Sequence, residues 1–177
     1  GTRMALEHGG AAPVILDETA DGDLLVPKLA KGGFYHSGQV CVSVQRVFML
    51  GKQKEEIVSK LGEYANNLTV GNAIDEKTEC GPLIRNREVD RVEIWVNEAQ
   101  NGGAKLVAGG KRVSNSCYAP TVLLNPPTEA EVSKNEIFGP VISLYESESL
   151  SEAISMCNSL PFAFQASIFS NNYSNII

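Results

Sequence analysis

Three short clusters in the 177-residue chain combine residue types that could do chemistry. The first is Gly38-Gln39-Val40-Cys41-Val42-Ser43, with Gly32 and Gly33 a few positions upstream. A glycine-crowded loop between a helix and a strand can expose a sulfur and aim backbone N–H groups at one point. That arrangement suits a thiolate nucleophile and the oxyanion that forms beside it. A small buried cysteine next to a strand has the same local pattern, so the two readings stay open at Cys41. The second cluster is Leu6-Glu7-His8-Gly9-Gly10. Paired glycines after a carboxylate suit a backbone that turns tightly and leaves Glu7 facing a cavity; an exposed acid in a turn is the other reading. His8 and Glu7 are neighbours in extended chain and point opposite ways, so one site does not use both. The third cluster is Asn135-Glu136-Ile137-Phe138-Gly139-Pro140-Val141. Here a carboxylate able to accept two ribose hydroxyls stands near a ring able to support a flat heterocycle. Its plain alternative is a strand-entry turn with a surface acid.

The elements that must carry these clusters follow from hydrophobic period. Ala12 to Leu16 reads as a strand, followed by an acidic turn from Asp17 to Asp23. Leu24, Leu25, Leu29 and Ala30 recur at helical spacing to about Gly33, with Pro27 tolerable if it lies in the first turn. Arg46 to Leu50 is strand-like. Lys54 to Asn67 puts Ile57, Val58, Leu61 and Tyr64 on one helical face, and Arg87 to Gln100 does the same with Val92, Trp95, Val96 and Ala99 before the stop signal Asn101-Gly102. Lys105 to Ala108, Thr121 to Leu124, Val141 to Tyr145 and Gln165 to Phe169 read as strands, and Leu150 to Cys157 as a helix. Strands separated by helices of this length have the crossovers that parallel pairing requires. The expected class is α/β, a mostly parallel sheet flanked by helices, in one domain over residues 1–177.

Composition narrows the function. With 15 basic and 21 acidic side chains the formal charge is −6, and no dense Lys/Arg run is present to release counterions from a polynucleotide backbone, which argues against nucleic acid. No apolar run approaches the roughly 20 residues of a bilayer span, and the N-terminus carries no basic segment followed by an apolar one. Cys41, Cys80, Cys117 and Cys157 are widely spaced, and the only histidines are His8 and His36, which is no pattern for a metal site. Scattered single cysteines fit a reducing, cytoplasmic compartment.

Together the clusters, in this order with Glu7 and Cys41 34 positions apart and Cys41 and Glu136 95 apart, resemble the aldehyde dehydrogenase superfamily. Gly32-Gly33-Phe34, Arg46, Gly81-Pro82-Leu83, Gly102-Gly103-Ala104-Lys105 and Pro120-Thr121-Val122 extend the resemblance over essentially the whole chain. It implies a Rossmann-like catalytic-domain fold and an NAD- or NADP-dependent oxidation of an aldehyde to a carboxylic acid. Cys41 is then the nucleophile, which forms a thiohemiacetal and, after hydride passes to the nicotinamide, a thioester. Glu7 is the general base that activates water, and the Cys41 N–H is one oxyanion donor. Glu136 binds the nicotinamide-side ribose, and Phe138 lies near the nicotinamide. The resemblance further implies a homodimer or homotetramer for the full-length enzyme. The dinucleotide-binding domain, expected before Glu7, and the oligomerisation hairpin, expected after Asn172, are not found in this sequence. The expectation is therefore a catalytic domain, incomplete at its C-terminus, that lacks turnover alone and binds NAD weakly or not at all. Two other classes are a cysteine hydrolase pairing Cys41 with His36 or His8, and a non-catalytic scaffold.

Overall fold

The computed structural model describes all 177 residues. Its strands are short and rich in branched residues, and their side chains alternate between two buried faces. They are β1 (Pro13–Leu16), β2 (Arg46–Met49), β3 (Lys105–Ala108), β4 (Thr121–Leu124), β5 (Val141–Glu146) and β6 (Ser167–Phe169). They form one sheet in the order β3-β4-β5-β2-β1-β6. Every pairing is parallel except β3 with β4, so the antiparallel strand lies at an edge. This bears out the expected mostly parallel sheet.

Each face of the sheet is covered by helices, and alternation along the strands sorts the core. Val14, Leu16, Val47, Met49, Ile142 and Leu144 pack against α1 (Gly22–Phe34) and α2 (Lys54–Asn67). On the other side Leu123, Val141 and Ile137 pack against α3 (Asn86–Asn101), while Ile15, Phe48 and Tyr145 pack against α5 (Leu150–Cys157). A short α4 (Glu131–Lys134), too brief to show a helical period in the sequence, precedes the third cluster.

Four local expectations shift. Asp21 caps α1 by accepting from the N–H groups of Asp23 and Leu24, so the helix starts at Gly22 and Pro27 falls beyond its first turn. Pro27 is exposed there, as is Leu24, which the spacing had turned inward. Tyr64 likewise sits at the solvent side of α2. Trp95 is only half-buried, with the Arg91 guanidinium 4.6 Å from its ring centre.

At the carboxyl edge of the sheet, the buried Asp17 fastens the chain's last residues to β1. One carboxylate oxygen accepts from the Thr19 N–H at 2.8 Å and the Thr19 hydroxyl at 2.6 Å; the other accepts from Asn175 at 2.8 Å and from the Ser170 hydroxyl. Burial opposes ionisation, but the hydrogen bonds from Ser170, Thr19 and Asn175 outweigh it and hold the Asp17 pKa below its ordinary value. A carboxyl depressed by folding contributes stability that is complete above its unfolded pKa of about 4. That contribution disappears as pH falls through the lower, folded value. Urea unfolding followed from about pH 5 to about pH 2 should therefore show a steeper loss of stability in the wild-type chain than in Asp17→Asn. Parallel curves would show that Asp17 carries no part of the acid response.

Candidate active site

Each of the three clusters immediately precedes a strand, and the three strands are neighbours. Gly10 leads into β1, Ser43 into β2 and Gly139 into β5, within the run β5-β2-β1. One rung, Pro13 to Arg46 to Ser143, crosses all three. Cys41 and Phe138 each precede it by five residues, Glu7 by six and Glu136 by seven. Loops that enter parallel strands emerge at the same edge of the sheet, here the amino edge.

Backbone contact then closes the clusters on one another. Gly38 adopts φ +71°, and a side chain there would run into the carbonyl oxygen of Gly139, so the thiol loop lies directly on the third cluster. A Cβ on Gly9 would stand 2.5 Å from the Glu136 carboxylate, whose Oε1 accepts from the Gly10 N–H at 3.1 Å. The first cluster therefore meets the third, and the third meets the second. Gly9 makes room for Glu136 and Gly10 for Phe164; of the two readings of this cluster, the exposed acid rather than the acid facing a cavity matches the structure. Glu7 itself is exposed, and no residue before Gly10 makes a hydrogen bond.

The thiol loop is held in an unusual path. After α1 ends, a 3-10 turn at Tyr35–Gly38 carries His36 at φ 48° and Ser37 at φ 58°, both left-handed. Such residues persist where surrounding bonds fix them. The buried Ser37 hydroxyl donates to Gly81 O at 2.7 Å and faces the Cys80 thiol at 3.5 Å. The Gln39 amide donates to His36 O at 3.1 Å and Pro82 O at 3.3 Å and accepts from Ile84 N–H at 2.8 Å. Ser43 N–H, bonded to Val40 O at 2.9 Å, then closes a turn with Cys41 in its second position. Cys41 is partly exposed, and its sulfur makes no hydrogen bond. The N–H groups of Val40, Cys41 and Val42 make none either, whereas those of Gln39 and Ser43 on either side do. A run of open donors beside a sulfur is what a developing oxyanion requires.

His36 does not complete a thiol–imidazole pair. Its ring packs on Tyr35 with centroids 3.9 Å apart, and no hydrogen bond joins it to Cys41. The other thiols differ from Cys41. Cys80 and Cys117 are buried; burial raises the Cys80 pKa, and burial pushes Cys157 to about 11 despite the pull of Arg46.

Glu136 and Phe138 flank the buried Ile137 and line two separate hollows. Glu136 shares one of about 500 Å³ with Gly9, Trp95, Asn135 and Phe162. Phe138, 41% exposed and left-handed at φ 45°, shares a cleft of about 850 Å³ with Tyr35, His36, Pro82 and Ile84. Neither Cys41 nor Glu7 lines these hollows. The second Glu136 oxygen makes no hydrogen bond and is open to a hydroxyl donor. An available carboxylate oxygen and an exposed ring can meet a hydroxyl group and a flat heterocycle on either side of Ile137.

Two residues that the sequence reading passed over organise this edge. Neither Ser37 nor Gln45 stands out in the sequence, because what matters about each is a hydrogen-bonding partner tens of residues away. Arg46, the first residue of β2 and part of the resemblance, is a buried guanidinium that donates to Ala11 O at 3.3 Å, Met156 O at 3.1 Å and Cys157 O at 3.1 Å.

Known proteins resemble this chain in sequence and fold. The family model "Aldehyde dehydrogenase family" matches residues 1–177. A 3-sulfolactaldehyde dehydrogenase of Priestia aryabhattai is 37% identical over 170 residues, which make up 96% of this chain and 35% of that protein. A glyceraldehyde-3-phosphate dehydrogenase of Methanocaldococcus jannaschii, solved with NADP, superposes with a TM-score of 0.90 at 34% identity, over 95% of this chain and 36% of that one. A 1-pyrroline-5-carboxylate dehydrogenase of Thermus with bound NAD gives 0.89 at 29%, over 95% and 33%. This chain spans about a third of the length of the relatives it matches. With the match running from the first residue to the last and the same fold beneath the three clusters, the chain is a member of the aldehyde dehydrogenase family.

Proposed function

We propose that residues 1–177 form the thiol-bearing catalytic domain of an NAD- or NADP-dependent enzyme that oxidises an aldehyde to a carboxylic acid. One observation carries the reading: the three clusters precede three adjacent parallel strands and touch through Gly38 on Gly139 and Gly10 on Glu136. In this reading the Cys41 thiolate adds to the aldehyde carbon, forming a C–S bond, and the carbonyl π pair moves to oxygen. The open N–H groups of Cys41 and Val42 meet the resulting oxyanion. NAD or NADP, when bound, supplies the two-electron acceptor for the aldehyde hydrogen, with Glu136 holding its ribose and Phe138 supporting its ring. Once that hydrogen is gone, the oxyanion pair re-forms the carbonyl and Cys41 carries a thioester. Glu7 takes a proton from water as the water oxygen adds to the thioester carbonyl. The C–S bond then breaks, returning the Cys41 sulfur and releasing the acid. Sulfur is a better leaving group here than an alkoxide oxygen, which is why a thiol suits the role.

The exposed placement of Glu7 is compatible with a base whose surroundings come from the rest of a longer enzyme. The four free thiols fit a reducing, cytoplasmic setting, and the family resemblance supports a homodimer or homotetramer. No helix is long and apolar enough to cross a membrane.

Two measurements test the reading. Limiting iodoacetamide at about pH 8 should label Cys41 first, since a thiol with a pKa of about 11 is only about one part in a thousand thiolate there, and Cys80 and Cys117 are buried. Equal labelling of Cys41 and Cys157 would contradict it. In the intact enzyme that contains this chain, Cys41→Ser should abolish NAD(P)-dependent aldehyde oxidation. Glu7→Gln should keep a rapid first turnover but slow steady-state turnover by about 100-fold or more. Loss of the first turnover as well would take Glu7 out of thioester hydrolysis.

A further inference from the structure

We propose that Gln45 is a positioning residue for cofactor binding, fixing the segment that carries Glu136 and Phe138; this rests on the function proposed above. Gln45 stands four residues after Cys41, at the entry to β2, and is 3% exposed. Its backbone is already fixed on both sides, because its N–H donates to Ala12 O at 3.4 Å and its carbonyl accepts from Ser143 N–H at 2.8 Å. From that anchored point the side chain reaches 87 to 92 residues along the chain. Its amide nitrogen donates to Val132 O at 3.1 Å and Asn135 O at 2.6 Å, and its amide oxygen accepts from Ile137 N–H at 3.0 Å.

The chemistry of these three bonds specifies an amide. Two carbonyl oxygens need donors and one N–H needs an acceptor, all on one side-chain terminus. A carboxylate would set its oxygens against two carbonyl oxygens, and an apolar side chain would leave all three backbone groups unpaired in a buried place.

The position of the third bond gives it a functional consequence. Ile137 lies between Glu136 and Phe138, so the grip falls at the joint between the ribose-side carboxylate and the ring. Arg91 donates to Ile137 O at 2.7 Å, and Ile137 is therefore held at both its N–H and its carbonyl. Phe138, the next residue, is held in a left-handed conformation that an unrestrained phenylalanine avoids. Releasing the Gln45 end of this grip lets the segment relax, moving the Glu136 oxygen and the Phe138 ring relative to each other while the Val40–Ser43 turn keeps its own bonds.

The test uses the intact enzyme with Gln45→Met, which preserves side-chain length without the amide. The KM for NAD and for NADP should rise about tenfold or more. The pH profile of Cys41 alkylation by iodoacetamide and the hydrolysis of p-nitrophenyl acetate should stay within about twofold of wild type. An unchanged dinucleotide KM overturns the proposal, as does a joint loss of alkylation, ester hydrolysis and cofactor binding, which would mark Gln45 as merely structural. If Gln45→Met does not fold, Gln45→Asn carries the test: its amide is one methylene short of the three partners, so its KM should also rise, and a wild-type KM overturns the proposal. Failure of the wild-type enzyme to oxidise aldehydes with either dinucleotide would instead refute the underlying function and is read separately.

Discussion

The molecule depends on parallel pairing among β5, β2 and β1. Parallel strands leave the sheet's amino edge with three incoming loops side by side, each only a few residues from the common rung through Pro13, Arg46 and Ser143. At a strand spacing of about 4.8 Å, loops on adjacent strands collide unless side chains are absent where they cross. Gly38 against Gly139 is that crossing between β2 and β5, and Gly9 against Glu136 lets the loops of β1 and β5 meet across β2. Open α/β sheets usually gather ligands at the carboxyl ends of their strands. In this chain the clusters gather at the opposite end.

Close approach alone does not fix orientation; Gln45 at the entry to β2 and Arg46, its first residue, supply it. Gln45 reaches the segment before β5, and Arg46 reaches the segment before β1 together with the last carbonyls of α5. The segments that Gln45 and Arg46 hold, the one around α4 and the end of α5, lie on the same side of the sheet, and Ser133 and Met156 line one cavity with Arg46 there. Arg46 has no acidic partner; burial lowers its pKa, and backbone oxygens carry its solvation. Breaking such a site by removing one partner is more costly than the bonds' apparent number suggests, because the remaining groups stay buried.

Much of this was legible in the sequence, and the parts that were not share a cause. Strands such as Arg46–Met49 and helices such as Asn86–Asn101 announce themselves through local period and end signals, and their bounds differ little from the expected ones. Alternation and crossover length are local properties as well, so the parallel class followed. Pro27 and Leu24 were misread because Asp21 starts α1 earlier than the apolar residues do. A glycine that admits Glu136 looks, in a linear string, like a glycine that turns Glu7. Ser37 and Gln45 act through partners 44 and about 90 residues distant, and nothing in their immediate neighbours encodes that.

The Asp17 cluster has a practical corollary. Because Ser170 and Asn175 bond to a residue just beyond the carboxyl end of β1, the last residues sit at the edge of the sheet opposite the thiol loop. Four residues of β1, about 13 Å of strand, separate the two edges. A solid-phase tether attached through Ile177 would thus hold the domain by its far end and leave the cysteine loop facing the bathing medium.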